Sequence, residues 1–438
     1  MTLRIGVRRE DKSIWERRVP VTPGDAFLLR QEHGIQVVVQ PSSHRAFTSQ
    51  EFESAGATML EDLSSCPVVL GIKEIPEDAF HPGSAYVFFA HVIKGQEYNM
   101  PMLRRMMDLG CTLIDYERVV DDNNRRLIFF GWHAGVAGAI DTLWALGLRL
   151  TWEGIANPFS LLRQTHTYHD LAEAKAALAQ VRASLEADGV PDGLAPLIIG
   201  VAGYGNVSRG VQEILNILPT IQIEPEQIAS VAADPGASRH HVYVAIFKEW
   251  HMVEPVVPGA AFDLQDYYSH PEKYRGVFEQ YLPHLAVLLN AIFWTKAYPR
   301  LVTVAALRAL FERPEKPRLR VIGDISCDIE GAIQCTVKST PIGDPIYVYD
   351  PADETVTNGY EGLGVVIMAV DILPAELPRE ASVDFSRVLR PFIPAIAGSD
   401  FSVPFAECNL PPEIKRATIV YRGELTPDYR YIQKYLDA

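Results

Sequence analysis

The run LIIGVAGYGNVSRG, residues 197–210, limits what this chain can fold into more than any other stretch. LIIGVA is short and almost wholly apolar, the pattern of a strand buried on both faces of a parallel sheet. Val207, Val211, Ile214, Leu215 and Leu218 then recur at steps of three and four, which marks one face of a helix. Between them Gly203 and Gly205 carry no Cβ, so the backbone can turn tightly and approach a ligand. Strand, glycine turn and helix in this order form a place where free N–H groups and the helix dipole hold a pyrophosphate. Ser208 takes the third glycine position and is small enough for close helix–strand packing. This reading gives Gly203, Tyr204, Gly205, Asn206, Val207 and Ser208 to a dinucleotide; the plain alternative is a structural turn.

Strand-like and helix-like segments alternate elsewhere too. LRIGVRRE, IQVVVQP, PVVLGIKEIP, AYVFFAHV and CTLIDYE all fall within residues 1–135. The fold class expected is α/β, with two Rossmann-like domains of parallel sheet flanking a cleft. FGWHAGVAGAIDTLWALGLRL (130–150) reads as a small-residue helix connecting the domains. LAVLLN and RVIGDIS end in Asn290 and Asp324, at the carboxyl ends of strands where open α/β sheets gather ligands. From about residue 346 the chain changes character and reads as returning to the first domain. The expected division is therefore a discontinuous substrate domain, 1–135 with 346–438, and a dinucleotide-binding domain, 136–345.

The formal charge of −15 argues against nucleic acid or an anionic membrane as partner, since both call for a basic surface. Cysteines 66, 111, 327, 335 and 408 are scattered without CxxC, and the N-terminus lacks an apolar leader, so a reducing cytoplasm is expected. His166, His169, His240, His241 and His251 have no HExxH or paired-cysteine context, so no metal site is expected. Cys327 has no evident activating base.

Three charged groups stand out in the first domain: Arg17 and Arg18 in WERRVPVTP, Lys73 and Glu74 in GIKEIP, and His91 in FFAHVIK. Separately, each reads as a solvated lysine or a packed histidine. Together, Lys73 and His91 are two proton carriers at strand ends beside an expected nicotinamide domain, the make-up of an acid–base pair.

VRREDKSIWERRVPVTP, GIKEIP, FFAHVIKGQE, LIDYERVVDDNNRRLIFFGWHAGVAGAI, GYGNVSRG, HPEKYRGVFEQYLPHLAVLLNAIFW, YPRLVT, GDISCDIEGAI and LPAELPREAS together resemble the lysine–2-oxoglutarate reductases. These are the lysine-forming saccharopine dehydrogenases that occupy the first half of aminoadipic semialdehyde synthases. The wider group holds alanine dehydrogenase and the proton-translocating transhydrogenase. The resemblance implies a fold of two α/β domains around a cleft and a reductive condensation of L-lysine with 2-oxoglutarate to saccharopine. It makes Lys73 and His91 the acid–base pair, Glu74 and Glu117 their acidic neighbours, and Arg18 and Arg126 ligands of substrate carboxylates. Asp324 would stand beside the nicotinamide; Glu16 and Lys12 lie in a matching segment. The rivals are an alanine dehydrogenase-type enzyme and a nucleotide-binding regulatory module without turnover.

For the cofactor, Glu224 lies about twenty residues beyond Gly203, where an acid would bind the ribose 2′-hydroxyl and favour NAD. The animal and plant members that the chain resembles favour NADP, so NADPH is the expected donor and NADH the alternative. No second dehydrogenase half follows in this sequence, so a separate glutamate-forming saccharopine dehydrogenase is expected to consume the product. A homo-oligomer is left open.

Overall fold

The structure, a computed structural model, describes residues 3–437. It divides into two compact units, one formed by residues up to Phe130 and from Pro378 onward, the other by Gly131–Leu377.

In the first unit six parallel strands lie side by side: Arg4–Val7, Gln36–Val39, Thr58–Met59, Val68–Leu70, Ala85–Phe88 and Thr112–Asp115. Ile5, Val7, Val38, Val87, Leu113 and Ile114 are fully buried, which explains apolar runs without a two-residue alternation. Numbered along the chain, their order across the sheet is 3-2-1-4-5-6. The winding reverses between Arg4–Val7 and Val68–Leu70, and the crevice beyond their carboxyl ends is where such a sheet binds ligands. Thr418–Tyr421 and Glu424–Leu425 add an antiparallel edge.

The second unit repeats the design. Its parallel strands are Leu197–Ala202, Thr220–Ile223, Val242–Phe247, Val287–Asn290, Val321–Asp324 and Val365–Met368. Across the sheet they run 6-5-4-1-3-2, so Thr220–Ile223 is the outer strand and Val242–Phe247 is the neighbour of the glycine-turn strand.

Two expectations change. The segment 346–377 belongs to the second unit, and the chain returns to the first only at Pro378. Ile346–Asp350 pairs antiparallel with Val365–Met368 and with Thr355–Asn358, extending the same sheet. The altered sequence texture at 346 therefore marks a switch from parallel to antiparallel strands within one core. The small-residue helix, Gly131–Trp152, lies wholly in the second unit. It is apolar on nearly every side because it is packed on nearly every side. A Cβ on Gly135 would stand 1.9 Å from the Val207 carbonyl oxygen, and one on Gly210 2.2 Å from that of Trp132. The two glycines thus let this helix press against Asn206–Leu215, the helix that follows the glycine turn.

Candidate active site

In the first unit the charged groups collect where four neighbouring strands end. Glu10, three residues past Val7, accepts the N–H of Ile72 at 2.8 Å and of Lys73 at 2.9 Å, tying together the two strand ends at the winding reversal. Burial pushes its carboxyl up to about 7 against the opposing charge of Arg8. The Lys73 ammonium is weakened first by burial and then by the charge of Arg18, with Glu16 and Glu74 opposing.

Glu74 is the hub. One oxygen meets Lys12 Nζ at 2.7 Å and His91 Nδ1 at 2.8 Å. Burial alone would raise this carboxyl, but the bonds from His91 and Lys12 outweigh it and hold it far below the usual range. His91 follows the strand Ala85–Phe88 with φ of +48°, a left-handed conformation costly for a residue with a Cβ. The fully buried Asp115, last residue of its strand, accepts the N–H of Ala90 and of Glu117. Burial, reinforced by Glu117, lifts it to about 7.

Lys12, Glu74 and His91 are thus one bonded cluster, with Lys73 in its field. Glu16 and Arg18 form a separate pair: the guanidinium is gripped by both carboxylate oxygens at 2.7 and 2.5 Å. Arg18 also lies 4.3 Å from the Phe130 ring centroid and is 4 % exposed. Glu16 thus takes the Nε–Nη2 edge of its fork. Arg126 is half exposed and stands 3.9 Å from Glu117, which leaves its guanidinium accessible.

In the second unit Gly203 turns at φ +98°, and a Cβ there would come 2.9 Å from the Ala291 carbonyl oxygen. Gly205 caps Asn206–Leu215 without a side-chain bond, so the first-turn N–H groups of Asn206, Val207 and Ser208 are available to an anion. Ser208 is fully buried and accepts from Gln212. A cavity of about 420 Å³ opens at this turn, lined by Gly203, Tyr204, Gly205, Glu249, Tyr268 and Phe293 among others. Asn290 and Asp324, side by side in register, are bonded at 2.8 Å. Asp324 also accepts from Thr336 and from the Cys327 N–H, and burial raises it to about 6. Cys327 lies nearby, its thiol pushed above the usual range by burial and then by Asp324, which removes thiolate character.

Glu224 lies elsewhere. It caps the turn Pro225–Gln227 after the outer strand, one strand removed from the glycine turn. The adjacent strand tip instead presents Lys248 and Glu249. Glu249 accepts from Tyr268 at 2.6 Å and Tyr204 at 3.4 Å, and its other oxygen is buried without a protein partner, an acceptor of the kind a ribose hydroxyl satisfies. The residues present therefore fit a dinucleotide.

Glu224, Glu226 and His251 form the metal-sized cluster among the described residues. His251 Nδ1 accepts the Lys248 N–H at 3.1 Å, so the neutral ring carries its proton on Nε2, the atom that faces Glu226. That tautomer leaves Nε2 no lone pair for a metal.

Glu10, Asp115 and Glu249 were not singled out in the sequence, although each is an acid at or just past a strand end, the same signal that marks Asp324.

Residues 6–137 match the family model for the alanine dehydrogenase/PNT N-terminal domain. The chain is 38 % identical to an alpha-aminoadipic semialdehyde synthase of Arabidopsis thaliana, over 98 % of this chain and 41 % of that protein. A mitochondrial alpha-aminoadipic semialdehyde synthase of Mus musculus is 34 % identical, over 99 % and 48 %. The chain thus spans less than half the length of these relatives. A saccharopine dehydrogenase [NAD(+), L-lysine-forming] of Emericella nidulans is 28 % identical, over 89 % of this chain and 90 % of that one. Among solved structures an L-alanine dehydrogenase superposes with a TM-score of 0.63 at 17 % identity, covering 99 % of this chain and all of that one, which shows a shared fold.

Proposed function

We propose, from its similarity to the alpha-aminoadipic semialdehyde synthases and the lysine-forming saccharopine dehydrogenases, that this chain condenses L-lysine with 2-oxoglutarate reductively to saccharopine. A bound dihydronicotinamide supplies the hydride that reduces the imine. The observation that carries the reading is the placing of Lys73, His91 and Glu74 at the strand ends around one winding reversal.

The lysine ε-amine attacks the ketone only when neutral, so the site must first remove a proton. Lys73, its ammonium weakened by burial and by Arg18, is suited to receive it at Nζ. Loss of water from the carbinolamine then needs a proton delivered to the hydroxyl. His91, its ring held by Glu74, supplies it, and the accessible Arg126 draws a substrate carboxylate. Glu117 and Glu16 tune these cations, the second by occupying Arg18.

In the second unit Gly203–Ser208 would hold the pyrophosphate, with Asn290 and Asp324 near the nicotinamide. The fungal relatives are named for NAD(+). One feature favours NADPH here: Lys248 offers a cation at the same strand tip as Glu249. The product would pass to a separate glutamate-forming dehydrogenase. No helix among the described residues is long and apolar enough to cross a membrane, and the cytoplasm is proposed as the compartment.

The test follows loss of the reduced-nicotinamide absorbance with L-lysine and 2-oxoglutarate, using NADPH and NADH in parallel. Oxidation that requires both substrates supports the reading. Oxidation with pyruvate and ammonia in their place would move the chain to the alanine dehydrogenase type, and none under either condition would leave a binding module.

A further inference from the structure

His91 is held in a backbone conformation that its own side chain does not favour. In extended chain successive carbonyls point to opposite sides. The carbonyls of Ala90 and His91 instead converge on one group, the side-chain amide of Asn99, whose Nδ2 donates to them at 3.0 and 3.2 Å. The left-handed φ of +48° at His91 is what turns the second carbonyl back beside the first. Such a conformation is costly for a residue with a Cβ, and the two hydrogen bonds from a buried donor offset that cost. Asn99 is 5 % exposed, so water does not replace its amide readily. The same turn aims the imidazole at Glu74, and Asn99 Nδ2 lies 3.5 Å from that carboxylate oxygen.

We propose that Asn99 is a positioning residue of the reaction: by bridging the Ala90 and His91 carbonyls it locks His91 left-handed and so keeps the ring against Glu74. This rests on the reading of His91 as a proton carrier, but the conformational half of it stands apart from that reading. Asp115 holds the turn from the other side through the Ala90 N–H and leaves the His91 carbonyl untouched, so it cannot substitute for Asn99.

The experiment compares Asn99→Ala, His91→Ala and the double variant, with Asn99→Asp as a second probe of similar volume that removes the donors. Expected is a kcat at least tenfold lower in Asn99→Ala, the scale for a misplaced catalytic group, with the KM for NADPH within twofold of wild type. The double variant should be no slower than His91→Ala, because a group acting through His91 has nothing left to act on. A crystal structure of Asn99→Ala, or of Asn99→Asp if the alanine variant does not fold, should show His91 at negative φ with its ring off Glu74. Unchanged φ in the variant, or losses in kcat that multiply in the double variant, would overturn the proposal. Full activity in His91→Ala would instead refute the role given to His91, while the crystal structure still decides whether Asn99 holds the turn.

Discussion

Asp141 and Glu376 place two carboxyl groups in the core of the second unit, and their titration should be visible in its stability. Asp141 accepts from the Thr165 N–H and hydroxyl, both at 2.8 Å, and Glu376 accepts from the His166 N–H at 3.2 Å. Burial raises both, and the two carboxyls act on one another, so the pair should hold a proton at pH values where free carboxyls have lost theirs. Glu376 moves from its ordinary 4.5 to about 7. A carboxyl whose value is raised on folding binds its proton more tightly in the native state. Its contribution is therefore complete below about 4.5 and is lost as pH rises through about 7. The displacement corresponds to roughly 3 kcal/mol at about 1.4 kcal/mol for each tenfold change in proton affinity. Glu376→Gln keeps the shape, donates to Asp141 without a titrating proton and removes the penalty. Urea unfolding at pH 5 and pH 8 measures this by tryptophan fluorescence, since Trp132, Trp144, Trp152, Trp250 and Trp294 lie in the second unit against Trp15 in the first. The variant should gain on wild type by about 2.5 kcal/mol between those pH values. Equal pH dependence in the two proteins would show that the pair carries no shared proton.

Lys73→Met should reduce turnover by at least about a hundredfold while NADPH still quenches tryptophan fluorescence with unaltered affinity; activity near wild type would remove Lys73 from the proton path. Lys248→Ala should raise the KM for NADPH about tenfold, the worth of one charge-assisted bond, and leave that for NADH alone, as read from parallel initial rates. Gly135→Ala forces a methyl group against the Val207 backbone carbonyl. It should destabilise the second unit by about 2–3 kcal/mol and weaken dinucleotide binding, measured by urea melts and by cofactor titration.

What the sequence carried, and what it did not, divides along one physical line. A strand buried on both faces is a local pattern, and the residue that ends it is local too, so Lys73, His91, Asn290 and Asp324 could be placed at strand tips from the chain alone. Glu16 and Arg18 could have been paired in the same way, because residues two apart in extended backbone share a face. Which strands lie side by side is not local. Counting some twenty residues past Gly203 reaches the second strand of that unit, which is the neighbour of its first only when sheet order follows chain order; here Val242–Phe247 comes between them. That interposition puts Glu249, not Glu224, just past the tip of the strand beside the glycine turn. The hairpin after residue 346 pairs with segments near it in sequence; what is not local is the parallel pairing of Val365–Met368 with Val321–Asp324, which ties it to the second unit. Asn99 is harder still. Its side chain bonds to backbone carbonyls, which every residue possesses, so no pattern of residue types at positions 90 and 91 announces it. Groups that act by chemistry thus leave a trace in composition at strand ends, whereas groups that act by holding backbone leave theirs only in dihedral angles, and the positive φ of His91 is where that trace is found.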